Sequence, residues 1–291
     1  MEYISTHPRT RQIIESNAFR IKKGYGQNFL VDQHVINKII DGSGITDTDL
    51  VIEIGPGIGG LTERLALQSR KVIAIEIDKA LIPILEENLK PYDNIEIINS
   101  DILKTDLGAL IEKEGCESAK IVANLPYYIT TPIIMSILES HLPVKTMTVM
   151  IQKEVGSRIR AEVGSKDYGA LTLAVAYRAK AELLANVPRN SFIPRPNVDS
   201  AVIHLTALEN PPVNVLDEGL LFKIIRATFE QRRKTIVNCL FNLLDFGLSK
   251  DELGEVLESC NLSASARGEE LDLEKFAKLA DAIYKRVNED K

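Results

Sequence analysis

The chain has 291 residues, a formal net charge of −6 and 45% hydrophobic residues. This length accommodates one large domain plus a small one, and the apolar content is sufficient for a packed core. No apolar run approaches the roughly 18 residues needed to span a bilayer, and the N-terminus lacks a basic region followed by an apolar one. We therefore expect neither a membrane anchor nor a secretion signal.

The cysteines are few and widely separated. There are three of them, Cys116, Cys239 and Cys260, and their spacing matches no zinc motif. Unpaired, scattered cysteines are typical of a reducing compartment, so we expect a cytoplasmic protein. The four histidines are equally dispersed. We expect no metal site.

Positive charge is concentrated near the N-terminus. Residues 1–40 contain six basic and three acidic side chains, which leaves a net charge of −9 for the remainder. Lys22 and Lys23 lie just before Gly26-Gln27-Asn28. The run predicts contact with nucleic-acid phosphates, and a solvated surface is the alternative.

A glycine-rich loop follows the first predicted strand, Leu50 to Ile54. It contains Gly55, Gly57 and Gly60 and leads into a predicted helix. Glycine permits unusual backbone dihedrals and lets a ligand approach the main chain closely. The spacing also satisfies the dinucleotide-binding pattern, so an NAD-dependent dehydrogenase is one alternative.

Two acidic residues end the next two predicted strands. Glu76 follows Lys71 to Ile75 and lies 21 residues after Gly55, a spacing that suits a carboxylate accepting hydrogen bonds from a ribose diol. Asp101 follows Ile95 to Ile98 and could accept from an adenine amino group. Carboxyl ends of parallel strands meet at one edge of a sheet, so these groups should lie together.

The stretch Asn124-Leu125-Pro126-Tyr127 ends the fourth predicted strand. It combines a side-chain amide, a backbone kink and an aromatic ring, which suits the binding of a flat exocyclic amine. We expect Asn124 Oδ1 and a main-chain carbonyl at Leu125 or Pro126 to accept the amine hydrogens. Tyr127 would stack on the ring. Phe192 is the candidate for the other face or edge, and a core aromatic is the alternative for it.

These four strand ends resemble those of class I methyltransferases that use S-adenosylmethionine. Dehydrogenases share the glycine loop and the first carboxylate but do not call for Asn-Leu-Pro-Tyr after the fourth strand. The resemblance implies a Rossmann-like α/β sheet and S-adenosylmethionine as the cofactor.

Six motifs along nearly the whole chain resemble the ribosomal RNA adenine dimethyltransferase family. They are Gly26–Leu30, the glycine loop, Asn124–Tyr127, Phe192–Val202, Phe229–Thr235 and Arg267–Gly268–Glu269. The resemblance implies a cofactor pocket lined by Asn28, Leu30, Gly55, Gly57, Glu76, Asp101 and Asn124.

Three features are similar to the branch of the family that modifies 16S rRNA: Leu125, Gln231–Lys234 and Arg267–Glu269. The 23S rRNA macrolide-resistance branch typically has isoleucine where this chain has Leu125. The resemblance implies N6-dimethylation of two adjacent adenosines in a loop near the 3′ end of 16S rRNA, by a monomer acting on a small ribosomal subunit or its precursor. A relative that only binds RNA would be expected to lose Gly57, Glu76 or Asn124, and all are present.

The rest of the chain predicts two domains. Three further strands are expected at Met147–Gln152, Leu171–Tyr177 and Ser200–Leu205, which completes a mostly parallel sheet covered by helices. Asn210-Pro211-Pro212 marks a linker, and apolar residues then recur at helical spacing. We predict a cofactor-binding catalytic domain at 1–208 and a small all-helical domain at 209–291 that contacts RNA, with Arg232, Arg233 and Lys234 as phosphate-binding candidates.

Overall fold

The computed structural model describes residues 2–17, 24, 26–140 and 142–289. It contains two compact units, one of Met1–Gly156 with Ala181–Ala207 and one of Ser157–Lys180 with Leu208–Lys291. A boundary at 208 is present, but the segment 157–180, which we had expected in the first domain, belongs to the helical unit. Side chains hold it there: the Tyr168 hydroxyl donates to the Leu271 carbonyl at 2.9 Å.

The first unit is built on a seven-stranded sheet with the strand order β4-β3-β2-β5-β6-β9-β7. The strands are β2 (Leu50–Ile54), β3 (Lys71–Glu76), β4 (Ile95–Asn99), β5 (Ala119–Asn124), β6 (Val144–Gln152), β7 (Ala179–Val187) and β9 (Ser200–Ala207). A separate antiparallel pair joins β1 (Phe29–Leu30) to β8 (Phe192–Ile193).

The five strands from β4 to β6 run parallel, and β9 is antiparallel to β6. The mostly parallel sheet predicted from the sequence is therefore confirmed, as are the strands around Met147–Gln152 and Ser200–Leu205. Strand β2 pairs with β3 on one side and β5 on the other, so the chain reverses its direction of travel across the sheet at the β2–β5 pair. Such a reversal opens a crevice at the carboxyl ends of the two strands.

The helices of the first unit cover this sheet. They are α1 (His7–Ser16), α2 (Gln33–Ser43), α3 (Thr62–Ala66), α4 (Ile82–Leu89), α5 (Leu107–Lys113) and α6 (Thr130–Glu139). In α2 the buried residues are Val35, Ile36, Ile39, Ile40 and Ser43, the one-sided spacing of an amphipathic helix. The helix begins at an Asp32 cap and ends at Gly44 in the left-handed conformation. Its apolar face packs into the cluster that contains Val51 and Val122.

The second unit is helical. Its helices are α8 (Ala170–Arg178), α9 (Glu218–Glu230), α10 (Ile236–Leu243), α11 (Lys250–Ser259) and α12 (Leu273–Glu289), and α7 (Lys153–Ile159) crosses the boundary between the units. The apolar spacing that predicted α9, α11 and α12 is confirmed. The half-buried Phe229 contacts the rings of Tyr168 and Phe276, whose centroids are 5.9 and 6.1 Å away. Among the described residues, no helix is long and apolar enough to cross a bilayer.

The strand predicted at Leu171–Tyr177 is wrong, because this segment is helix α8. All of its residues except Ala176 are buried. A helix buried on nearly every side has no polar face, and a short apolar run of that kind looks the same as a buried strand. The strand next to it, β7, escaped prediction because its Ala, Glu and Leu residues favour helices.

We predict that Phe276→Ala destabilises the protein strongly, by about 3–5 kcal/mol, because it leaves a cavity in the core of the second unit. Phe276 is 0% exposed. Phe241→Ala in the same unit is the matched control, since that ring is 45% exposed and its cation–π partner Lys250 is exposed as well, and we expect it to change stability by no more than about 1 kcal/mol. Urea unfolding of both variants is the measurement, and equal losses would contradict the prediction.

Candidate cofactor and substrate site

A cavity in the first unit lies at the carboxyl ends of β2, β3 and β5. It is lined by ten of the residues singled out in the sequence: Asn28, Leu30, Gly55, Gly57, Glu76, Asp101, Asn124, Leu125, Pro126 and Tyr127. The pairing of Ile54 with Ala123 places the glycine loop beside Asn124. Residues far apart in the sequence are therefore brought to one wall by strand register.

The glycine loop is shaped by backbone conformations that favour glycine. Gly55 and Gly57 have φ values of 69° and 63°. A Cβ atom on Gly57 would lie 3.0 Å from the Phe29 ring, so a side chain there would require that ring to shift. The Gly57 N–H donates to Glu76 Oε2 at 3.2 Å. The Gly57 amide is therefore engaged by a carboxylate of the same site.

Glu76 is held by two main-chain donors at the end of β3. In addition to the Gly57 amide, the Asp78 N–H donates to Oε1 at 2.8 Å. Burial raises the pKa of Glu76, and the two amide hydrogen bonds partly offset that rise. The carboxylate is thus fixed in orientation on the cavity wall.

Asp101 caps the short 3₁₀ helix Ile102–Lys104 with one carboxylate oxygen. The Leu103 N–H donates to Oδ1 at 3.1 Å. The other oxygen lies 4.0 Å from Lys104 Nζ, whose side chain is largely exposed. A contact of this kind is weak, so Oδ2 retains the capacity to accept from a ligand.

The Asn124 amide is oriented by a main-chain carbonyl. Its Nδ2 donates to the Asn28 carbonyl at 2.9 Å, and Asn28 Nδ2 in turn donates to the Gly26 carbonyl at 2.9 Å. This bond restricts the rotation of the amide, and Oδ1 is the side-chain atom that can accept a hydrogen bond from a ligand. Asn28 therefore both lines the cavity and positions Asn124.

The two candidate carbonyls after Asn124 differ in their occupancy. The Pro126 carbonyl accepts from Ile129 N–H at 3.2 Å and from Thr130 Oγ1 at 3.0 Å. A carbonyl oxygen has two lone pairs, so this one is saturated. The Leu125 carbonyl accepts no hydrogen bond from any residue that the structure describes. Of these two carbonyl oxygens, that of Leu125 is the one that can accept a hydrogen bond from a ligand.

The two aromatic candidates are placed differently. Tyr127 lines the cavity, and its hydroxyl lies 2.6 Å from Ser200 Oγ. Phe192 is 3% exposed, pairs with Leu30 across β1 and β8, and packs in the cluster containing Val122. It is not among the residues that line the cavity. Phe192 therefore occupies the position of a core aromatic, which the sequence analysis gave as the alternative to stacking on the base.

Glu53 is a site residue that the sequence analysis missed. It lines the cavity from within β2, is 1% exposed, and its Oε2 has no hydrogen-bond partner among the described residues. Burial raises the pKa of Glu53 to about 8, and the nearby charge of Glu76 adds to that rise. A single charged residue inside an otherwise apolar strand was the available signal.

Ser5 and Thr10 also line the cavity, without any comparable signal in the sequence.

The basic residues proposed for RNA contact fall into three groups. Lys22 and Lys23 lie outside the described residues. Arg232 donates to the carbonyls of Lys166 and Tyr168 at 2.9 and 2.7 Å, so its guanidinium holds a loop of its own unit. Arg233 and Lys234 are exposed at the turn after α9. Their charges remain available for phosphate contact.

We predict that Glu53→Gln stabilises the cofactor-free protein more at pH 8 than at pH 5. A carboxyl whose folded pKa of about 8 exceeds its ordinary value of 4.5 keeps a proton that the unfolded chain loses, so stability falls as pH rises between those values. Glutamine cannot ionise and removes this loss. Thermal unfolding midpoints of variant and wild type across that range are the measurement.

The matched control for this measurement is Glu96→Gln. The pKa of Glu96 is lowered by hydrogen bonds from Lys113 and Lys71, so its folded and unfolded carboxyls are both ionised through most of the pH 5–8 range. We expect a nearly constant effect of that substitution over the same range. A Glu53→Gln effect that is equally constant with pH would refute a raised Glu53 pKa.

The chain is similar to known proteins over nearly its whole length. The family model for ribosomal RNA adenine dimethylase matches residues 18–278. The ribosomal RNA small subunit methyltransferase A of Lachnoclostridium phytofermentans is 53% identical over 99% of this chain and 100% of its own length. The protein of the same name from a Geobacillus species is 50% identical over 96% of this chain and 97% of its own.

Solved structures give the same picture. A dimethyladenosine transferase from Plasmodium falciparum superposes with a TM-score of 0.71 at 29% identity, covering 86% of this chain and 95% of that one. The 23S rRNA methyltransferase ErmE gives 0.64 at 26% identity, covering 88% and 100%. The family match and the full-length relatives together show that this chain is an rRNA methyltransferase and belongs to the ribosomal RNA adenine dimethylase family.

Proposed function

We propose that the protein uses S-adenosylmethionine to dimethylate N6 of two adjacent adenosines in a loop near the 3′ end of 16S rRNA. The observation that carries the proposal is the Asn124 amide, which is held by the Asn28 carbonyl at the crevice between β2 and β5, where strand register places Asn124 beside the glycine loop. Relatives at about half identity carry the name of a small-subunit rRNA methyltransferase.

The donor set of the cavity fits S-adenosylmethionine. Three acids, Glu53, Glu76 and Asp101, line its wall, and Glu53 Oε2 has no partner among the described residues. Acidic side chains on the wall of a cavity suit a ligand with positive charge, hydroxyl groups and an amine, because a positive charge favours their ionised form. We assign Glu76 to the ribose hydroxyls and Asp101 to the adenine amino group. When bound, S-adenosylmethionine supplies a methyl group activated by its sulfonium.

One side-chain and one main-chain oxygen at the end of β5 hold and activate the target amine. Adenine N6 is a poor nucleophile because its lone pair is delocalised into the ring. Asn124 Oδ1 and the Leu125 carbonyl accept its two N–H bonds, which localises the lone pair and stabilises the positive charge that develops on N6. The methylated amine is acidic and releases its proton afterwards, so an amide rather than a strong base is sufficient.

Tyr127 supplies the stacking surface for the target base. Tyr127 lines the same cavity as Asn124. A base must leave its stack to reach such a site, and a single-stranded loop lowers the cost of that movement. The aromatic face then compensates for part of the lost stacking.

We further propose that the protein is a cytoplasmic monomer that acts on the small ribosomal subunit or its precursor. The exposed Arg233 and Lys234, with Lys22 and Lys23, would contact phosphates, and binding should weaken as salt is raised. Arg232 is the least suited of these residues, because its guanidinium already holds two main-chain carbonyls.

The experiment that tests the proposal is transfer of labelled methyl from S-adenosylmethionine to small ribosomal subunits from cells that lack this gene, with large-subunit rRNA in parallel. We expect label in dimethyladenosine of 16S rRNA. Label confined to 23S rRNA would assign the chain to that substrate instead. Absence of label from both would disprove the proposed reaction.

We predict that Asn124→Ala lowers the methyl-transfer rate about 100-fold or more, because it removes a fixed acceptor for the charge that develops on N6. Asn94→Ala is the matched control. The Asn94 amide also donates to main-chain carbonyls, those of Ala66 and Ser69, but it does not line the cavity. Single-turnover rates are the measurement, and a near-normal rate for Asn124→Ala would exclude the role assigned to it.

A further inference from the structure

Ser200 contacts the site through the hydroxyl oxygen of Tyr127. The two hydroxyl oxygens are 2.6 Å apart, a short hydrogen bond. Ser200 is 0% exposed and is not among the residues that line the cavity. We propose that Ser200 is a positioning residue that holds the Tyr127 ring in place for stacking on the target base, an inference that rests on the proposed function.

The serine is fixed on a rigid element. It is the first residue of β9 and is paired with Gln152 of β6 in the antiparallel ladder. The preceding residue is held on both sides: the Asp199 carbonyl accepts from the Lys153 N–H and its carboxylate accepts from the Arg189 N–H, both at 3.0 Å. The sheet therefore determines the position of the Ser200 hydroxyl.

Tyr127 is in a different situation, because it lies in the loop between β5 and α6. The main chain of this loop is held by the Leu125 N–H, which donates to the Met150 carbonyl at 3.0 Å, and by the donors to Pro126 described above. These bonds fix the backbone but not the rotation of a long aromatic side chain. The bond to Ser200 ties the far end of the ring to the sheet and so restricts that rotation.

The bond persists over the pH range in which methyl transfer would be assayed. Burial raises the pKa of the Tyr127 hydroxyl, and the charge of Asp199 acts in the same direction. The phenol therefore stays protonated in mildly alkaline buffer, and loss of Ser200 should have the same effect across that range.

The test is a double-mutant cycle with Ser200→Ala, Tyr127→Phe and the double variant, measured as single-turnover methyl transfer to unmodified small subunits at saturating substrate. Each single variant removes the same hydrogen bond from one end. We expect each to lower the rate about ten-fold, and the double variant to be no slower than either. Cofactor affinity, measured by calorimetry with S-adenosylmethionine, should stay unchanged in Ser200→Ala.

Thr148→Val is the matched control for the loss of a buried hydroxyl. The Thr148 hydroxyl lies 2.8 Å from His204 Nδ1 across the same pair of strands, and the residue is equally buried and absent from the cavity wall. We expect it to transfer methyl at the wild-type rate even if its unfolding midpoint falls. Tyr127→Phe leaves Ser200 in place, so it tests the bond if Ser200→Ala folds poorly.

The wild-type rate in this experiment reports the proposed function separately. An active wild type together with a normal Ser200→Ala rate, or with losses that multiply in the double variant, overturns the inference about Ser200 and leaves the proposed function standing. A loss shared by Thr148→Val also overturns it, because the effect would then be one of general strand packing.

Discussion

The parallel pairing of β2 with β5 is the constraint on which the site depends. It aligns Ile54 with Ala123, so the glycine loop and the Asn124 motif leave the sheet side by side. A shift of register by one residue would turn the side chains of a strand to the opposite faces of the sheet. Both strands are largely buried, which makes such a shift costly. The hydrophobic core thereby determines the distance between the glycine loop and the Asn124 motif, to which we assign the cofactor and the target base.

The acidic wall of the cavity has a cost in stability. Glu53 and Glu76 are both buried, and burial raises the pKa of each. Apolar residues at these two positions would make the core more stable. Acidic residues kept at a cost in stability indicate selection for ligand binding. A cationic cofactor would offset the cost, since an opposite charge favours the ionised carboxylate.

The helical unit illustrates how basic residues divide between structure and surface. Arg232 uses its guanidinium on two main-chain carbonyls of the segment 157–180. Its neighbours Arg233 and Lys234 keep their charges exposed. Adjacent basic residues thus have different roles, one structural and two at the surface. Only the hydrogen bonds in the structure distinguish these roles.

The sequence by itself determined the class of fold and most of the site. Strand-end residues such as Glu76 and Asn124 could be recognised because parallel strands place their carboxyl ends at one edge whatever the details of packing. The tertiary structure decided what depends on three-dimensional neighbours. Leu171–Tyr177 is a helix that the sequence pattern predicts as a strand, because burial on nearly all sides removes the polar positions whose period distinguishes helix from strand. Phe192 is a core residue and Ser200 contacts Tyr127 because strands distant in sequence meet there, and no local pattern encodes such a meeting.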